Sequence, residues 1–312
     1  MRRVVCRAFG PLTDLEIEDV PPLEAGPGQV VIDVRAAGVN FVDALFVQGK
    51  YQIKPQTPFV PGGEVAGVTS DGRRVIASSG LGAFAEQIVV PEASLYDLPD
   101  SLSFGVGATV VQSYATAVFS LAHRTVVRPG EWVLVLGAGG GVGRACVDVA
   151  VSLGARVIAV ASSEEKRQLA KDAGAEVTID SDDDIKTKAR EFSDGGVDVV
   201  YDPVGGALAE PALRALRFDG RYLVIGFAAG EIPRLPANQI LLNNRTVIGV
   251  EWGGWVMRHP DENRQLVEGV IAASAEGRYH PIEPAPHPLE DVARVLDDFQ
   301  NRKIAGKVVL VP

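Results

Sequence analysis

A glycine-rich turn, Gly137-Ala-Gly-Gly-Gly-Val-Gly143, follows an apolar run and leads directly into a helix-periodic segment. Glycines let the backbone approach a charged group closely, and the free N–H groups that open a helix bind anions such as pyrophosphate. The strict pattern G-x-G-x-x-G is not met, because Ala138 takes its first position. An ordinary glycine-rich turn is therefore the alternative. The order of strand, glycines and helix favours a dinucleotide site, whose expected contacts are Gly139, Gly140, Gly141, Val142 and Gly143.

A second group of polar residues follows the next apolar run and indicates which dinucleotide is bound. An NAD site places an acidic side chain about 20 residues beyond the first glycine, but Ala161, Ser162 and Ser163 occupy that region. Small hydroxyls with Lys166 and Arg167 one turn later would accept the additional phosphate of NADP. The alternative is that Ser163 only caps a helix and that the charged residues after it form a solvated face.

These motifs lie in a region where strand-like and helix-like segments alternate, as in a doubly wound parallel sheet. The strands are predicted near Trp132–Leu136, Arg156–Ala161, Glu176–Ile179, Val197–Tyr201, Gly220–Gly226 and Thr246–Val250. The helices between them are predicted near Val142–Leu153, Ser163–Ala173, Asp184–Phe192, Ala207–Leu216 and Pro236–Asn243. Six strands with crossover helices form two mononucleotide-binding halves, and ligands bind such sheets at the carboxyl ends of the strands.

The remainder of the chain predicts a second, mainly β domain. Short β runs broken by Gly and Pro extend to about Tyr114, and an apolar segment, Phe104 to Ala122, is predicted to be a helix that leads into the next domain. The tail is too short to be a domain alone and is predicted to return to the first module. The predicted domains are therefore a discontinuous one, residues 1–118 with 252–312, and a dinucleotide-binding one, residues 119–251.

Composition limits the partners and the location of the protein. The net charge is −10 and no basic stripe is present, which argues against nucleic acid or an anionic membrane as the main partner. No stretch of about 18 consecutive apolar residues predicts a membrane span. The two cysteines, Cys6 and Cys146, lie in different predicted domains and suit a reducing compartment. We therefore expect a cytoplasmic protein.

Five motifs together resemble one known family, in the same order and along the whole chain. They are Ala36-Ala-Gly-Val-Asn-Phe-Val-Asp43, Pro61-Gly-Gly-Glu-Val-Ala-Gly67, the glycine-rich turn, Asp198-Val-Val-Tyr-Asp-Pro-Val-Gly-Gly206 and Gly306-Lys-Val-Val-Leu310. The chain resembles the zinc-free medium-chain dehydrogenase/reductases, specifically the NADPH:quinone oxidoreductases of the zeta-crystallin type. The resemblance implies a Rossmann domain beside a GroES-like, mainly β catalytic domain, NADPH as cofactor, a small-molecule substrate and a homodimer.

The resemblance also implies that no metal is bound. Zinc alcohol dehydrogenases have a cysteine where this chain has Asn40, and a histidine where it has Gly63. A catalytic tetrahedral zinc lacks a thiolate and an imidazole here, and the four histidines are scattered along the chain. Without this Lewis acid, alcohol oxidation is disfavoured, whereas hydride addition to an electron-poor acceptor needs less assistance.

Further cofactor contacts are expected by resemblance alone. Thr116 would lie near the nicotinamide ribose, Lys166 would bind the adenosine phosphate, and Lys307 would lie near the pyrophosphate. The other expected contacts are Asp202, Val204, Gly205, Phe227, Trp252 and Gly253. Thr116 could equally be an ordinary helix residue, Gly205 and Gly253 turn residues, and Trp252 a core or dimer contact. Ser181 departs from the family, since many members have a tyrosine there.

The catalytic candidates are Asn40, Asp43 and Tyr51. By resemblance, Asn40 and Tyr51 would donate hydrogen bonds to a developing oxyanion, whereas Asp43 would either hold the loop or donate a proton, and water could also supply that proton. Leu45 replaces a second family tyrosine, which makes the pocket less polar. The expected function is NADPH-dependent hydride transfer to a quinone or an α,β-unsaturated carbonyl without metal or flavin. The alternatives are an enoyl-thioester reductase and an NADPH-binding protein with a regulatory or structural role.

Overall fold

The computed structural model describes every residue from Met1 to Pro312. The β-strands in chain order are β1 Arg2–Val5, β2 Glu16–Asp19, β3 Gln29–Gly38, β4 Glu64–Thr69, β5 Arg74–Ser78, β6 Gln87–Pro91, β7 Leu95–Asp97, β8 Trp132–Leu136, β9 Arg156–Ala161, β10 Val177–Asp180, β11 Val197–Asp202, β12 Leu216–Val224, β13 Thr246–Gly249, β14 Ala285–Pro288 and β15 Val308–Val311. The α-helices are α1 Phe41–Val47, α2 Phe104–Val110, α3 Thr116–Val118, α4 Gly141–Ser152, α5 Glu164–Asp172, α6 Ile185–Phe192, α7 Ala209–Ala215, α8 Ala237–Leu241, α9 Trp252–Val256, α10 Pro260–Ala275 and α11 Val292–Gln300.

The chain forms two compact units. Unit 1 contains Met1–Gln112 and Pro281–Pro312, and unit 2 contains Ser113–His280. Residues 113–118 and 252–280 therefore belong to unit 2, whereas the sequence pattern predicts them in the mainly β domain. Helix α10 lies in unit 2, and its apolar residues, such as Leu266 and Val270, are buried.

Unit 2 contains a six-stranded sheet in the order β10-β9-β8-β11-β12-β13. All its neighbouring strands are parallel, and every residue of β8 is buried. Apolar runs of this kind suit strands that are covered on both faces. The order changes direction beside β8, where the glycine-rich turn follows the carboxyl end of the strand. The doubly wound sheet expected from the alternating pattern is confirmed.

Unit 1 is mainly β. Its seven-stranded sheet has the order β14-β15-β3-β4-β5-β7, with β6 also pairing with β3, and β1 and β2 form a separate antiparallel pair. The tail of the chain returns to this unit because β15 pairs with β3, placing Val309 opposite Gly38 and Leu310 opposite Ala37. The core of unit 1 contains side chains from both parts of the chain, such as Ile32 and Leu310.

One long helix, Phe104–Arg124, contains two wide π-helical segments, Val111–Ala115 and Phe119–Arg124. Wide turns of this kind often occur at functional sites. At the first of them, the backbone N–H of Gln112 donates to the carboxylate of Glu64 in β4. The same 21 residues are long and apolar enough to cross a membrane, but 78% of their most apolar stretch is buried inside the protein. Such burial is typical of a core helix.

The carboxylate of Asp148, in α4, binds both ends of unit 2. The Tyr114 hydroxyl near the start of the unit donates to Asp148 Oδ2 over 2.7 Å. At the other end, the backbone N–H of His280 donates to the same oxygen, and its ring Nδ1 lies 3.1 Å from Oδ1. Burial, together with the neighbouring Asp148 carboxylate, raises the pKa of Tyr114, so the phenol remains a hydrogen-bond donor.

Candidate functional site

The glycine-rich turn places the start of α4 immediately after β8. Gly137 has a positive φ of 61°, which favours glycine, and accepts a 3.0 Å hydrogen bond from the N–H of Gly140, the N-cap residue of α4. The first bond of the helix runs from the N–H of Arg144 to the Gly140 carbonyl over 2.8 Å. The preceding helical N–H groups, those of Gly141, Val142 and Gly143, have no acceptor one turn earlier in the helix. Together with the helix dipole, they suit an anionic group such as a pyrophosphate.

Two glycines of the turn are required by close packing. A Cβ atom on Gly143 would lie 2.3 Å from the carbonyl oxygen of Gly137, and one on Gly139 would lie 2.4 Å from Cβ of Lys166. By contrast, a Cβ atom on Gly140 would meet nothing closer than 3.5 Å. Gly143 and Gly139 therefore leave no space for a side chain, whereas Gly140 has ordinary space around it.

The residues that follow β9 are brought beside this turn. Ser162 is exposed, and Lys166 is half-buried next to Gly139. Ser163 is the N-cap of α5, and its hydroxyl accepts a 3.3 Å hydrogen bond from the N–H of Lys166. Ser163 therefore caps the helix, as in the alternative reading of the sequence. The exposed hydroxyl of Ser162 and the ammonium group of Lys166 are chemically suited to a phosphate on the adenosine ribose.

Arg167 differs from its expected role as a phosphate contact. Its guanidinium donates to the carboxylates of Asp180 and Glu164, and to the carbonyl oxygen of Ala161 at the end of β9. The nearby carboxylates raise the pKa of Arg167. Because two carboxylates already compensate its charge, we infer that Arg167 holds the end of β9 rather than a ligand.

Asp202 shapes the loop that follows β11. Its Oδ1 accepts 2.8 Å hydrogen bonds from the N–H groups of both Val204 and Gly205, and its Oδ2 accepts from the hydroxyl of Tyr222. Burial raises the pKa of this carboxyl group. Phe227 lies against the same loop, since a Cβ atom on Gly205 would be 3.1 Å from its ring. The carboxylate of Asp202 is thus used inside the protein, and Val204, Gly205 and Phe227 form the loop that it supports.

The other expected contacts in unit 2 lie on two helices. Trp252 begins α9, and its indole N–H donates to Asn263 Oδ1 over 3.1 Å. Gly253 follows it and is exposed. Thr116 is half-buried in α3, and its carbonyl accepts a 2.6 Å hydrogen bond from the Ser120 hydroxyl. The indole N–H of Trp252 is therefore used within unit 2, whereas Thr116 is half-buried and Gly253 is exposed.

In unit 1, three buried polar side chains form a chain of hydrogen bonds. Lys307 Nζ donates to Asn40 Oδ1 over 2.7 Å, and Asn40 Nδ2 donates to Glu64 Oε2 over 3.2 Å. Lys307 Nζ also lies 3.9 Å from Glu64 Oε2. Burial lowers the pKa of Lys307 and raises that of Glu64, while the attraction between the two groups opposes both shifts. Lys307 is therefore bound within unit 1 to Asn40, a contact that differs from its expected place beside a pyrophosphate.

Asp43 holds the start of α1. Its Oδ2 accepts a 2.7 Å hydrogen bond from the backbone N–H of Asn40, and its own N–H donates to the Asn40 carbonyl. Burial raises the pKa of Asp43 to about 7, with a smaller contribution from the Glu64 carboxylate. Of its two expected roles, holding the loop is the one that these contacts describe.

Asp43 should make folding stability dependent on pH. Its folded-state pKa, about 7, lies above the ordinary value of 3.8. Its contribution to stability is therefore complete below about pH 4 and is lost as the pH rises through 7. The variant Asp43→Asn keeps a carbonyl oxygen for the Asn40 N–H but cannot ionise. From pH 5 to pH 8 we expect its Tm to rise relative to wild type by several degrees, at roughly 2–4 °C per kcal/mol.

Differential scanning fluorimetry of both proteins across this range measures the effect. Asp97→Asn is the matched control because Asp97 is an exposed carboxylate in the same unit. Parallel pH curves for wild type and Asp43→Asn would contradict the expectation.

Tyr51 packs elsewhere in unit 1. Its ring lies 4.8 Å from the ring of Phe46, measured between centroids, with a tilt of 59°. Tyr51 is half-buried. This contact describes one ring of an aromatic pair.

Glu64 belongs to the hydrogen-bonded group of Lys307 and Asn40, although the sequence pattern did not single it out. It is 2% exposed and accepts hydrogen bonds from Asn40 and Gln112. The available signal was a charged residue at the start of an otherwise apolar strand, since buried carboxylates generally need partners.

No group of three or more His, Cys, Asp or Glu side chains in the chain is arranged to hold a metal ion.

Two family models match the chain. The model of the alcohol dehydrogenase GroES-like domain matches residues 26–100. The model of the zinc-binding dehydrogenase matches residues 141–270. They correspond to parts of unit 1 and unit 2, respectively.

Whole-chain comparisons show similarity to quinone oxidoreductases. The chain is 37% identical to quinone oxidoreductase-like protein 2 of Bos taurus, over 95% of this chain and 88% of that protein. The quinone oxidoreductase of Thermus thermophilus, solved alone and with NADPH, is 34% identical with a TM-score of 0.89. A mycobacterial protein complexed with NADPH is 30% identical with a TM-score of 0.92. Each comparison with a solved structure covers 100% of both chains.

Proposed function

Because the chain belongs to the medium-chain dehydrogenase/reductase family, in its quinone oxidoreductase type, we propose that it reduces a quinone or an α,β-unsaturated carbonyl compound with NADPH. The observation that carries this proposal is the glycine-rich turn at the start of α4, with Lys166 directly beside Gly139. The NADPH complexes of the Thermus and mycobacterial relatives support the same cofactor.

The residues of unit 2 fit NADPH. The N–H groups at the start of α4 would bind the pyrophosphate, and Ser162 and Lys166 would bind the phosphate on the adenosine ribose. The loop that Asp202 supports would border the nicotinamide half. When bound, NADPH supplies the hydride for the reduction.

Unit 1 would supply hydrogen-bond donors to the substrate. A carbonyl that accepts a hydride develops negative charge on its oxygen, and a fixed N–H donor stabilises that charge. The amide of Asn40 is such a donor, and the hydroxyl of Tyr51 is a second candidate. Because Asp43 already accepts the Asn40 backbone N–H, we propose that water supplies the proton that completes the reduction.

We further propose that the reaction uses no metal. At the two positions where zinc alcohol dehydrogenases have ligands, this chain has the Asn40 amide, which is bonded to Lys307 and Glu64, and Gly63, which has no side chain. Neither can replace a thiolate or an imidazole as a zinc ligand. Reduction of an electron-poor acceptor suits such a site better than alcohol oxidation does.

The proposed activity is tested by following NADPH absorbance with 1,4-benzoquinone, 9,10-phenanthrenequinone, an enal and an enoyl-CoA thioester. We expect oxidation with a quinone or the enal, and the same rate after dialysis against EDTA. Reduction of the thioester alone would replace the proposed substrate class. Tight NADPH binding without oxidation by any acceptor would refute the proposal.

Lys166 should favour NADPH over NADH. Replacing Lys166 by alanine removes a cation beside the glycine-rich turn, and we expect the Kd for NADPH to rise about tenfold, as is typical when one charge-assisted contact is lost. NADH lacks the phosphate, so its Kd should change little. Fluorescence titration of both cofactors measures this difference.

The control is Lys171→Ala, which removes an exposed lysine from the last turn of the same helix. It should leave both affinities unchanged. Equal weakening of NADPH and NADH by Lys166→Ala would argue against a phosphate contact.

We also propose that the protein is a homodimer. Strand β13 lies at the edge of the sheet of unit 2, and its backbone can pair with another strand. Val247 in this strand and Leu241 and Leu242 just before it are exposed apolar residues. A second copy of the chain would cover them, and sedimentation velocity would show whether the species in solution is twice the chain mass.

We propose a cytoplasmic location as well. Both cysteines are buried free thiols, Cys6 in unit 1 and Cys146 in unit 2, which suits a reducing compartment. Fractionation of cells that express the protein would test this location.

A further inference from the structure

The side-chain amide of Asn40 lies between two opposite charges. Its oxygen faces the ammonium group of Lys307 at 2.7 Å, and its nitrogen faces the carboxylate of Glu64 at 3.2 Å. A half-turn of the amide would place oxygen against the carboxylate and N–H against the ammonium group. Both contacts would then be repulsive, so these two partners select one orientation.

Burial strengthens this selection. Asn40, Glu64 and Lys307 are 6%, 2% and 9% exposed, respectively. Interactions between charges and dipoles are stronger where water is excluded. Glu64 is itself held by the backbone N–H of Gln112 at the first wide turn of the long helix. The amide is therefore held by Lys307 and Glu64, and Glu64 is itself held by Gln112.

The hydrogen-bond count of the amide leaves one donor. An asparagine nitrogen carries two hydrogens, and Glu64 Oε2 is the acceptor that unit 1 provides for Nδ2. The oxygen of the amide is already used by Lys307. What Asn40 can offer to another molecule is thus an N–H group and not a carbonyl oxygen.

We propose that Lys307 and Glu64 are positioning residues that hold the Asn40 amide so that its second N–H is available to the carbonyl oxygen of the substrate. This inference rests on the proposed function, in which Asn40 is a donor. In this proposal Lys307 orients the Asn40 amide and does not bind the phosphates of the cofactor, and Glu64 also contributes to turnover.

The test compares Lys307→Met with wild type in two measurements. The expected result is a fall in kcat of about tenfold, because a donor aimed at a developing oxyanion loses much of its effect when it is misplaced. The Kd for NADPH, measured by fluorescence, should stay within about twofold of the wild-type value. A change this small would mean that no ionic contact with NADPH has been lost. Lys303→Met is the control because Lys303 is an exposed lysine nearby, and it should change neither value.

A double-mutant cycle separates positioning from a general structural effect. In an Asn40→Ala background, Lys307→Met should cause little further loss of kcat, because the amide that it positions is already absent. Glu64→Gln should also lower kcat, whereas Lys307→Arg, which keeps the charge, should retain more activity than Lys307→Met. Equal losses in both backgrounds would overturn the proposal, as would an unchanged kcat with a Kd for NADPH raised about tenfold.

An NMR measurement gives a readout without turnover. The side-chain amide signals of Asn40, assigned by their absence in Asn40→Ala, should exchange slowly with water in wild type and faster in Lys307→Met. Unchanged exchange would overturn the role of Lys307. A wild-type protein that binds NADPH but reduces no acceptor would refute the proposed function, whereas active wild type with equally active Lys307→Met would refute the positioning role alone.

Discussion

Gly143→Ala should weaken NADPH binding by about 100-fold. This loss is close to ~3 kcal/mol, the upper end of the free energy that overpacking a tight site costs. The added Cβ would lie 2.3 Å from the carbonyl oxygen of Gly137 and 2.9 Å from Cα of Ala138. These neighbours are backbone atoms, so the clash cannot be relieved by a side-chain rotation. The turn must open, and the N–H groups at the start of α4 must move from their places. Fluorescence titration with NADPH measures the loss, and Tm shows whether the fold survives.

Two other glycines serve as controls for this variant. Gly140→Ala adds a Cβ to the same turn with no contact closer than 3.5 Å, and Gly269→Ala adds one to α10 in open space. Gly269→Ala should leave Tm unchanged or slightly raised, since alanine is favoured over glycine inside helices by about 1 kcal/mol. Gly140 is the N-cap of α4, where glycine is preferred to alanine, so Gly140→Ala should lower Tm slightly and by less than Gly143→Ala. If Gly143→Ala bound NADPH as wild type does, the turn would not be the pyrophosphate site.

The second large effect is expected for Asp202→Ala, which removes a buried carboxylate that accepts from three donors. The N–H groups of Val204 and Gly205 and the hydroxyl of Tyr222 would lose their acceptor. Leaving such groups unpaired costs about 3–5 kcal/mol in total, so Tm should fall by roughly 10 °C. Thermal unfolding measured by circular dichroism gives this value.

Asp202→Asn is the informative companion. An asparagine oxygen can accept from both backbone N–H groups, and its nitrogen can donate to the oxygen of Tyr222. We therefore expect most of the stability to be retained. An equal loss in both variants would mean that the negative charge, and not the hydrogen bonds, stabilises the loop.

The fold of unit 2 was accessible from the sequence because its signals are local and strong. Strands β8 and β9 have the predicted bounds, since apolar residues on both faces mark a strand covered by helices. In unit 1, the pair β1 and β2 was not predicted. Strand β2 buries no residue completely and lacks a clear apolar pattern. The domain boundary differed for a related reason, since α10 gives no sign in the sequence of which unit it packs on.

The candidate site divides in the same way. The glycine-rich turn and the cap at Ser163 are contained in a few consecutive residues, so their geometry could be predicted. Lys307 and Asn40 are 267 positions apart, and no spacing rule connects them. Arg167 shows the same limit over a shorter distance, because its partner Asp180 lies on the next strand. The residue types of Lys307 and Arg167 indicated a positive charge, but only the fold showed which groups that charge contacts.

The carboxylate of Asp148 holds the two ends of unit 2 close together. Tyr114 and His280, close to the two ends of unit 2, both bind this one side chain. An inserted module whose ends meet adds only a short gap to the chain that receives it, and such insertions are well tolerated. Unit 2 therefore begins and ends at positions that lie close together, which is the geometry expected of a module inserted into another domain.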